Sequence, residues 1–399
     1  MIKGGYHEDL RKASKILREW NRGAVLVFHD DADGLCAGAI ASLALEKLGI
    51  EHKLVCVEKL SPQIVKLIHS QGNRLYLYVD IGSGRADLIV EELKEVGGLA
   101  IIADHHDPIE MKHENLLHLN PELYGYDGES EASGSTATYL LMREAVDIKE
   151  AAWIAVVGSA EIPGSLRSLN RIPLMDSIEA GDVELSSRGK SESYRIKFLG
   201  KPWRKLSSTL TAIGSMGYYV GGPQEAIRHL KGRSVPEDLA SRFENLRKKK
   251  FTQAFAIISR EGLRVEGRVQ WYHLGSLFKG LGSKAVGTFT SMLSYKKNVD
   301  PTRYLIGFMD FEPEIPGLGR IAGSWVKLSV RAPRKLLKLI EANEMPAISS
   351  LTVEAAKKIG GSGDGHRFAA SALIPAGRER DFIGEFNRLI EEHGPQSID

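Results

Sequence analysis

The sequence predicts an α/β protein with an N-terminal, doubly wound, mostly parallel sheet and a smaller C-terminal α/β domain, joined by a helical connector. From Ala24 to about residue 160, short apolar runs alternate with amphipathic helical stretches, which is typical of an open sheet with helices on both faces. After residue 263, strand-like and helical stretches alternate again. At roughly 100 to 200 residues per domain, a chain of 399 residues holds two or three domains, and these patterns favour two.

The predicted boundaries are 1–222 for the N-terminal domain, 223–262 for the connector and 263–399 for the C-terminal domain. The N-terminal strands are apolar on both faces, as expected of buried parallel strands, and helical periodicity separates them. Strands are predicted at Ala24–Phe28, His52–Cys56, Leu75–Val79 and Leu99–Ala103, and helices at Ser61–Ser70, Ala86–Val96 and Tyr139–Ala145.

The composition indicates an ordinary globular protein, with 43% hydrophobic and 26% charged residues. No apolar segment approaches the roughly 20 residues that span a bilayer, so we predict no membrane span. The N-terminus has an amphipathic helical pattern rather than that of a signal peptide, which predicts a cytoplasmic location. Cys36 and Cys56 lie in apolar runs and are interpreted as core residues. The net charge of +2 predicts no global attraction to nucleic acid.

The first predicted strand runs directly into His29-Asp30-Asp31-Ala32-Asp33-Gly34. His29, Asp31 and Asp33 are spaced by two, so an extended chain directs their side chains to one side. Imidazole and carboxylate donors that converge in this way suit a divalent cation. The alternative is an Asp-rich loop that caps the following helix, with Asp33 as the N-cap.

Two further predicted strands end in polar side chains. Asp80 follows the strand Leu75–Val79, and Asp104-His105-His106 follows Leu99–Ala103. The carboxyl ends of parallel strands share one sheet edge, so these motifs are expected to meet the first one there. The alternatives are a turn residue at Asp80 and a structural histidine pair.

The connector and the C-terminal region contain two candidate contacts for anions. The connector carries Arg247-Lys248-Lys249-Lys250, which is a solvated face or a nucleic-acid contact. In the C-terminal region, a Gly-rich loop ending at His366 is predicted to precede a helix that begins with Arg367-Phe368. Together with Arg331, the loop residues Gly363, Gly365 and His366 predict a phosphate site. Strand-like stretches are Val265–Leu274, Arg303–Phe311 and Trp325–Val330, with a helix around Lys284–Leu293.

These motifs together resemble those of the DHH phosphoesterase superfamily, in particular its archaeal RecJ-like branch with a C-terminal DHHA1 domain. The match comprises His29 to Gly34 as H-x-D-x-D-G, Asp80, Asp104-His105-His106, and the stretches around Arg331 and Gly363. The resemblance implies two divalent metal ions, with Mn²⁺ preferred and Mg²⁺ as the other candidate. It implies as metal ligands His29, Asp31, Asp33, Asp80, His105 and Asp104, the last either bridging the metals or supporting a ligand.

The resemblance also implies the remaining roles. His106 would donate a hydrogen bond to the scissile phosphate, with Asp104 and His105 as its catalytic partners. Arg331, His366 and the loop glycines would bind the terminal phosphates. Two positions depart from the family pattern: Ser159-Ala160-Glu161-Ile162 lacks the aspartate that usually follows the preceding apolar run, and Asp364 and Ser371 replace glycines.

We therefore expect a Mn²⁺-dependent phosphodiesterase, an exonuclease on single-stranded DNA or RNA in repair or replication. The alternatives are an oligoribonuclease or nucleotide phosphatase of the same superfamily, and a weakly active RecJ-like scaffold subunit of a repair or replication complex. As partners, the resemblance implies single-stranded nucleic acid, helicase or replisome proteins, and further copies of the chain. Strand polarity and the preference for DNA or RNA are left open.

Overall fold

The structure, a computed structural model, describes residues 2–72, 74–189 and 191–393. The chain forms two compact units. The first extends to Phe243 and includes Glu314–Ile321, and the second comprises Glu244–Pro313 and the chain from Ala322 onward. The division falls within the predicted connector, and the domain boundaries given above stay predictions.

The first unit contains a sheet whose strands are all parallel. The predicted strands and helices are present here, with some ends moved by one or two residues and one helix starting earlier. The strands of this sheet are β1 Ala24–His29, β2 His52–Val57, β3 Leu75–Val79, β4 Leu99–Ala103 and β5 Leu116–His118, in the order β2-β1-β3-β4-β5. A separate antiparallel sheet contains β6 Val183–Arg188, β7 Ser191–Ile196 and β8 Lys201–Pro202. The helices are α1 Gly4–Glu19, α2 Ala32–Lys47, α3 Pro62–His69, α4 Ala86–Val96, α5 Gly134–Ala145, α6 Ala152–Gly158, α7 Arg171–Glu179, α8 Trp203–Met216 and α9 Gly222–Lys231.

Helices cover both faces of this sheet. Leu26 and Phe28 belong to the main apolar core, which also contains the buried residues of α2, α5 and α6. On the opposite face, the Tyr76 hydroxyl donates to the carbonyl oxygen of His69 in α3 at 2.9 Å. This layering confirms the predicted α/β fold with a doubly wound parallel sheet.

The connection from β1 to α2 is tight enough to require glycine. A Cβ atom built on Gly34 would lie 2.4 Å from the carbonyl oxygen of His29. The glycine therefore lets α2 begin almost directly at the strand end, which holds the polar residues between them against the sheet edge.

His69 is a buried histidine on the sheet face that α3 covers. Its ring stacks on Tyr76 with 3.9 Å between centroids, and its Nε2 lies 2.9 Å from the Tyr78 hydroxyl. Burial lowers the pKa of His69 to about 4, well below the ordinary value near 6.5. The folded protein therefore holds this side chain neutral at physiological pH.

We expect the free energy of unfolding to decrease as the pH falls, because the buried ring of His69 resists protonation in the folded protein. Because the folded-state pKa is the lower one, the unfolded chain binds the proton more tightly. The stability that neutral His69 contributes is fully present above pH ~6.5 and is lost as the pH falls through about 4. The total loss in the free energy of unfolding is at most roughly 3 kcal/mol. Urea denaturation at pH 7 and pH 4.5 should show a larger loss for the wild type than for His69→Gln. Equal losses would contradict the prediction.

The second unit contains a mixed sheet, in which both parallel and antiparallel strands pair. The long helix α10, Glu237–Glu261, begins in the first unit and ends in the second. The other helices are α11 Lys284–Leu293, α12 Arg334–Glu341, α13 Ile348–Lys358 and α14 Glu379–His393. The strands of this sheet are β9 Arg264–Glu266, β10 Val269–His273, β11 Tyr304–Phe311, β14 Trp325–Arg331, β15 Ser362–His366 and β16 Ala369–Pro375, in the order β15-β16-β14-β11-β10-β9. The short strands β12 Glu314–Ile315 and β13 Gly319–Arg320 pair with each other in the segment that belongs to the first unit.

The predicted Gly-rich loop before a helix is wrong. Gly363 and Gly365 lie in β15, which pairs antiparallel with β16, and Arg367-Phe368 forms the turn between them. A Cβ atom on Gly365 would come within 2.5 Å of the Cα of Ala370. This glycine therefore allows close approach of two strands, and the anion site that we inferred from a helix N-terminus has no such helix.

In the described ranges, none of the helices is both long and apolar enough to cross a membrane.

Candidate metal centre

The carboxyl ends of three neighbouring parallel strands bring the predicted motifs together. His29 ends β1, Asp80 follows β3, and Asp104 and His105 follow β4. The strands β1, β3 and β4 are adjacent in the sheet. Residues far apart in the sequence therefore meet at one edge, as the strand pattern predicts.

Asp31 is the N-cap of α2, rather than Asp33 as in the capping alternative. Its Oδ1 accepts a hydrogen bond from the backbone N–H of Gly34 at 3.1 Å. Its Oδ2 lies 2.6 Å from Nδ1 of His29. Capping therefore uses one oxygen and leaves the other facing the strand end.

Asp33 is held by the N-terminus of α5. Its two carboxylate oxygens accept hydrogen bonds from the backbone N–H groups of Gly134 and Ser135, each at 2.8 Å. These donors at the positive end of a helix stabilise the charged form. Burial nevertheless outweighs them and raises the pKa of Asp33. The N-cap of α5 is Ser133, one of the two serines that the sequence offers for this role.

Asp80 is the most unusual residue of the site. It is 1% exposed, has a φ of 56° in the left-handed region, and neither carboxylate oxygen has a hydrogen-bond partner among the described residues. Burial and the negative charges of Asp33 and Asp31 raise its pKa well above the usual range. A buried carboxylate without donors is costly, and strained backbone conformations cluster at functional sites. A bound cation would satisfy both oxygens.

His105 presents a nitrogen to this carboxylate. Its Nδ1 lies 2.8 Å from the carbonyl oxygen of Gly128, so the proton on Nδ1 is donated there. The Nε2 atom then faces Asp80 Oδ1 at 3.5 Å and Asp33 Oδ2 at 3.7 Å. A histidine whose second nitrogen is anchored to a backbone carbonyl is the usual arrangement of a metal ligand.

Asp30 supports His29 in a similar way, although the motif pattern assigned no role to Asp30. Its carboxylate is fully buried, and Oδ1 lies 3.2 Å from Nε2 of His29. The only sequence signal was an additional aspartate directly after the histidine.

Asp104 is surrounded by donors. Oδ2 accepts from the Ser83 N–H at 2.8 Å, while Oδ1 accepts from the His105 N–H at 2.8 Å and from His106 Nδ1 at 2.7 Å. Burial raises the pKa of Asp104, but the hydrogen bond and charge of His106 outweigh it and hold that pKa well below its usual range. Of the two predicted roles, these contacts favour a support for the histidines over a bridging ligand.

His106 is the partner of Asp104. Burial lowers its pKa, yet the hydrogen bond to Asp104 and the charge of that carboxylate raise it to about 9. The ring is therefore protonated at neutral pH in the metal-free protein, with Nδ1 donating to Asp104. This arrangement suits the predicted hydrogen bond from His106 to a phosphate.

Two groups of potential metal ligands share Asp80. The first group is Asp80, His105 and His106, and the second is His29, Asp31 and Asp80. In each group, one ligand atom per residue lies within 4.8 Å of the others. Asp33 and Asp104 lie beside them without belonging to either. Among the described residues, Asp80 is thus placed as a carboxylate between two sites.

The wall formed by the end of α6 lacks the aspartate that the family pattern would place there. Ser159 is buried, and its hydroxyl lies 2.8 Å from that of Ser133 and 2.8 Å from the Ala155 carbonyl oxygen. Glu161 is exposed, and its negative charge contributes to the raised pKa of Asp80. A carboxylate is therefore near this wall, two residues beyond the packed serine.

Asn120 is a second supporting residue that lies outside the predicted motifs. Its Nδ2 donates to the Ser83 hydroxyl at 2.9 Å and to the His106 carbonyl oxygen at 2.7 Å. Because Ser83 also donates its N–H to Asp104, these residues form a buried polar network behind the histidine pair. An Asn-Pro pair before a turn was the available signal.

Arg331, His366, Gly363 and Gly365 lie in the second unit. The guanidinium of Arg331 is half-buried and bonded by Nε to the Ser291 hydroxyl at 2.8 Å and by Nη1 to that of Ser329 at 2.7 Å. Burial lowers the pKa of Arg331. His366 is exposed at the end of β15.

Comparison with known proteins identifies relatives of this chain. Residues 24–158 match the model of the DHH family, N-terminal domain. An uncharacterized protein of Methanocaldococcus jannaschii is 21% identical over 96% of this chain and 98% of its own length. The single-stranded-DNA-specific exonuclease RecJ of Dickeya dadantii is 29% identical over 44% of this chain and 31% of its own length.

Solved structures share the fold along the chain. An exonuclease RecJ bound to manganese aligns with a TM-score of 0.62 and 18% identity, covering 98% of this chain and 95% of that one. RecJ of Thermus thermophilus in complex with Mn²⁺ aligns at 0.61 and 16%, covering 98% of this chain and 55% of that one. CDC45 of Entamoeba histolytica aligns with a TM-score of 0.56 and 10% identity, covering 98% of this chain and 99% of that one.

The matched segment contains every residue of the candidate centre from His29 to His106. The same segment contains the whole of the parallel sheet, β1 to β5. Residues 24–158 are therefore a DHH family N-terminal domain, and the chain has a RecJ-like fold.

Proposed function

We propose that this protein is a phosphodiesterase that requires divalent metal ions and releases nucleotides from single-stranded nucleic acid. The observation that carries the proposal is Asp80, a buried carboxylate without hydrogen-bond donors that belongs to both groups of potential ligands. Such a group is destabilising in the folded protein unless a cation binds it. It therefore supports a two-ion centre at the sheet edge.

The donor set supports Mn²⁺ as the preferred ion. His29, Asp31 and Asp80 would hold one ion, and Asp80 with His105 the other, with Asp33 beside them. Imidazole nitrogens combined with carboxylates suit Mn²⁺ better than Mg²⁺, which prefers oxygen ligands alone. Ions bound there would supply Lewis acidity and positive charge next to a scissile phosphodiester.

The protein's own groups would orient the substrate. His106, protonated up to about pH 9, would donate to a phosphate oxygen while Asp104 holds its ring. In the second unit, Arg331, fixed by two serine hydroxyls, would bind a phosphate of a nucleic-acid strand. Support for a nucleic-acid substrate comes from the relatives, because RecJ of Dickeya dadantii is named as a single-stranded-DNA-specific exonuclease.

A second candidate is a nuclease-like scaffold subunit, and Ser159 favours it. The serine occupies the wall where the family pattern has a metal-ligating aspartate, and its hydroxyl is engaged by neighbours. The fold does not decide between the candidates, since it is shared with a structure named as an exonuclease and with CDC45. For a scaffold, helicase or replisome proteins, or further copies of the chain, would be the partners.

One assay tests the proposal. Single-stranded DNA and RNA labelled at the 5′ or the 3′ end are incubated with the full chain in Mn²⁺, Mg²⁺ or EDTA, next to a labelled dinucleotide and a nucleoside monophosphate. We expect metal-dependent release of mononucleotides, fastest in Mn²⁺, and the label that disappears first gives the polarity. Product no greater than that of Asp80→Asn would overturn the enzyme proposal in favour of the scaffold. Cleavage of the dinucleotide or monophosphate alone would indicate the small-substrate alternative.

A further inference from the structure

One face of the C-terminal sheet carries a row of polar side chains. Lys327, Ser329 and Arg331 alternate along β14 with residues of the apolar core, so they lie on the opposite face. Ser329 pairs with Ser371 of β16, which in turn pairs with Asp364 of β15. Because directly paired residues share a face, these five residues define one surface, here called the polar sheet face.

The two residues that replace family glycines contact each other on this face. The Ser371 hydroxyl donates to Oδ1 of Asp364 at 3.1 Å, and the ammonium of Lys327 donates to the same hydroxyl at 3.3 Å. Lys327 is only 8% exposed, so its charge acts through a poorly solvated region. The serine thus fixes the carboxylate on the polar sheet face, and the nearby lysine offsets its charge.

The guanidinium of Arg331 is held on the same face by hydrogen bonds from two of its three nitrogens. Its Nε and Nη1 donate to Ser291, Ser329 and the Ala370 carbonyl oxygen, at 2.8, 2.7 and 3.2 Å. Its Nη2 makes no hydrogen bond to the described residues and lies beside Gly287, where a Cβ atom would come within 3.1 Å. Because Gly287 has no side chain, there is room next to the two N–H groups of Arg331 Nη2, and these oriented donors suit a phosphate.

The spacing of the strands relates Arg331 to Asp364. The two residues are two strands and two residues apart, which corresponds to a Cα separation of about 12 Å in a pleated sheet. Both side chains extend over the same face, so a single nucleotide can reach from one to the other. An ionised carboxylate only accepts hydrogen bonds and offers about four acceptor positions, so the bond from Ser371 is compatible with a further hydroxyl donor.

We propose that Asp364 accepts a hydrogen bond from the 2′-hydroxyl of the nucleotide whose phosphate Arg331 binds, so that the protein prefers RNA to DNA. This inference rests on the proposed function. The 2′-hydroxyl is the donor that distinguishes RNA, and an acidic residue is a known type of partner for it. Asp364 would then be a specificity-determining residue, and its replacement of glycine would add an interaction rather than oppose binding.

Binding without cleavage tests this role. Fluorescence anisotropy in EDTA compares single-stranded RNA, DNA and 2′-O-methyl RNA of one sequence with the full-length wild type, Asp364→Ala and Ser371→Ala. Glu341→Gln, an exposed carboxylate on α12, is the control of equal charge change. We expect wild type to bind RNA about tenfold more tightly than DNA, as for a hydrogen bond to a charged group, and 2′-O-methyl RNA as weakly as DNA.

The variants separate this inference from the proposed function. Asp364→Ala should reduce the RNA-to-DNA ratio to near one, Ser371→Ala should lower it partly, and Glu341→Gln should leave it unchanged. Equal binding of RNA and DNA by wild type, or an unchanged ratio in Asp364→Ala, would overturn the inference. A preserved ratio in a protein without metal-dependent cleavage would refute only the proposed enzyme, while cleavage without the ratio would refute only the role of Asp364.

Discussion

Replacing Asp80 with asparagine is expected to reduce metal-dependent cleavage by on the order of 10³-fold or more and to stabilise the metal-free protein. The carboxylate belongs to both groups of potential ligands, and stabilisation by bound ions is worth several kcal/mol in the transition state. Without metal, the same carboxylate is buried without donors. Asparagine removes the charge and tolerates the left-handed φ of 56° at this position. The free energy of unfolding should rise by roughly 1 kcal/mol.

The pH dependence of this effect has a definite sign. The folded-state pKa of Asp80 is raised, so its protonated form stabilises the folded protein at low pH. That contribution is fully present below the unfolded value near 3.9 and is lost as the pH rises through the folded-state pKa. The stability gained by Asp80→Asn in EDTA should therefore grow as the pH rises.

Thermal unfolding with and without Mn²⁺ measures both effects of the Asp80 substitution. Mn²⁺ should raise the Tm of the wild type but not that of Asp80→Asn. A metal ion stabilises the folded state only if that state binds it, and the variant lacks the Asp80 carboxylate that would bind the ion. The control is Asp107→Asn, an exposed carboxylate close to the same strand end. A variant that still cleaves, or that keeps the Mn²⁺-induced shift of Tm, would show that Asp80 is not a metal ligand.

Replacing Asp104 with asparagine is expected to have the opposite effect on stability. Each oxygen of the carboxylate accepts at least one N–H, so the amide nitrogen of asparagine must face a donor. A buried donor left unpaired costs about 1 to 3 kcal/mol, and the free energy of unfolding should fall by roughly that amount. Cleavage should fall by on the order of 10²-fold, because the histidines lose their support.

His106 provides the spectroscopic readout of this variant. Its folded-state pKa of about 9 lies above the unfolded value near 6.5, so the pair with Asp104 stabilises the fold fully below pH ~6.5. This contribution is lost as the pH rises through about 9. In Asp104→Asn, an NMR titration should place the pKa of His106 well below 9. An unchanged titration, with Asp107→Asn again as control, would contradict the observed hydrogen bond.

The local sequence pattern was sufficient to predict the N-terminal sheet and the sheet edge at which the candidate metal centre lies. A run such as Leu75–Val79 is apolar on both faces and short, and this combination has few structural solutions other than a buried parallel strand. Once the strands are parallel, topology brings Asp80 and Asp104 to one edge with His29. The roles of these residues as ligands stay predictions that the experiments above test.

The C-terminal Gly-rich stretch shows where local pattern fails. Glycine has no side chain, so alternation along Gly363 to His366 leaves little periodic signal, and the residues match a loop as well as a strand. The partner strand decides between them, and it is recognised only through packing of Ala370 against Gly365. The serine that replaces glycine at position 371 is likewise intelligible only from its contact with Asp364.

The fold class, the parallel direction of the first strands and the edge where His29, Asp80 and His105 meet could all be predicted from the amino-acid sequence, because periodicity and strand ends are local properties of the chain. Three-dimensional contacts were needed to show that Asp31 caps α2 and that Asp30 and Asn120 support the site. They were also needed to show that both oxygens of Asp104 accept hydrogen bonds, whereas those of Asp80 accept none from the described residues. Each of these depends on hydrogen bonds and contacts whose geometry is set by packing between segments rather than by sequence pattern alone.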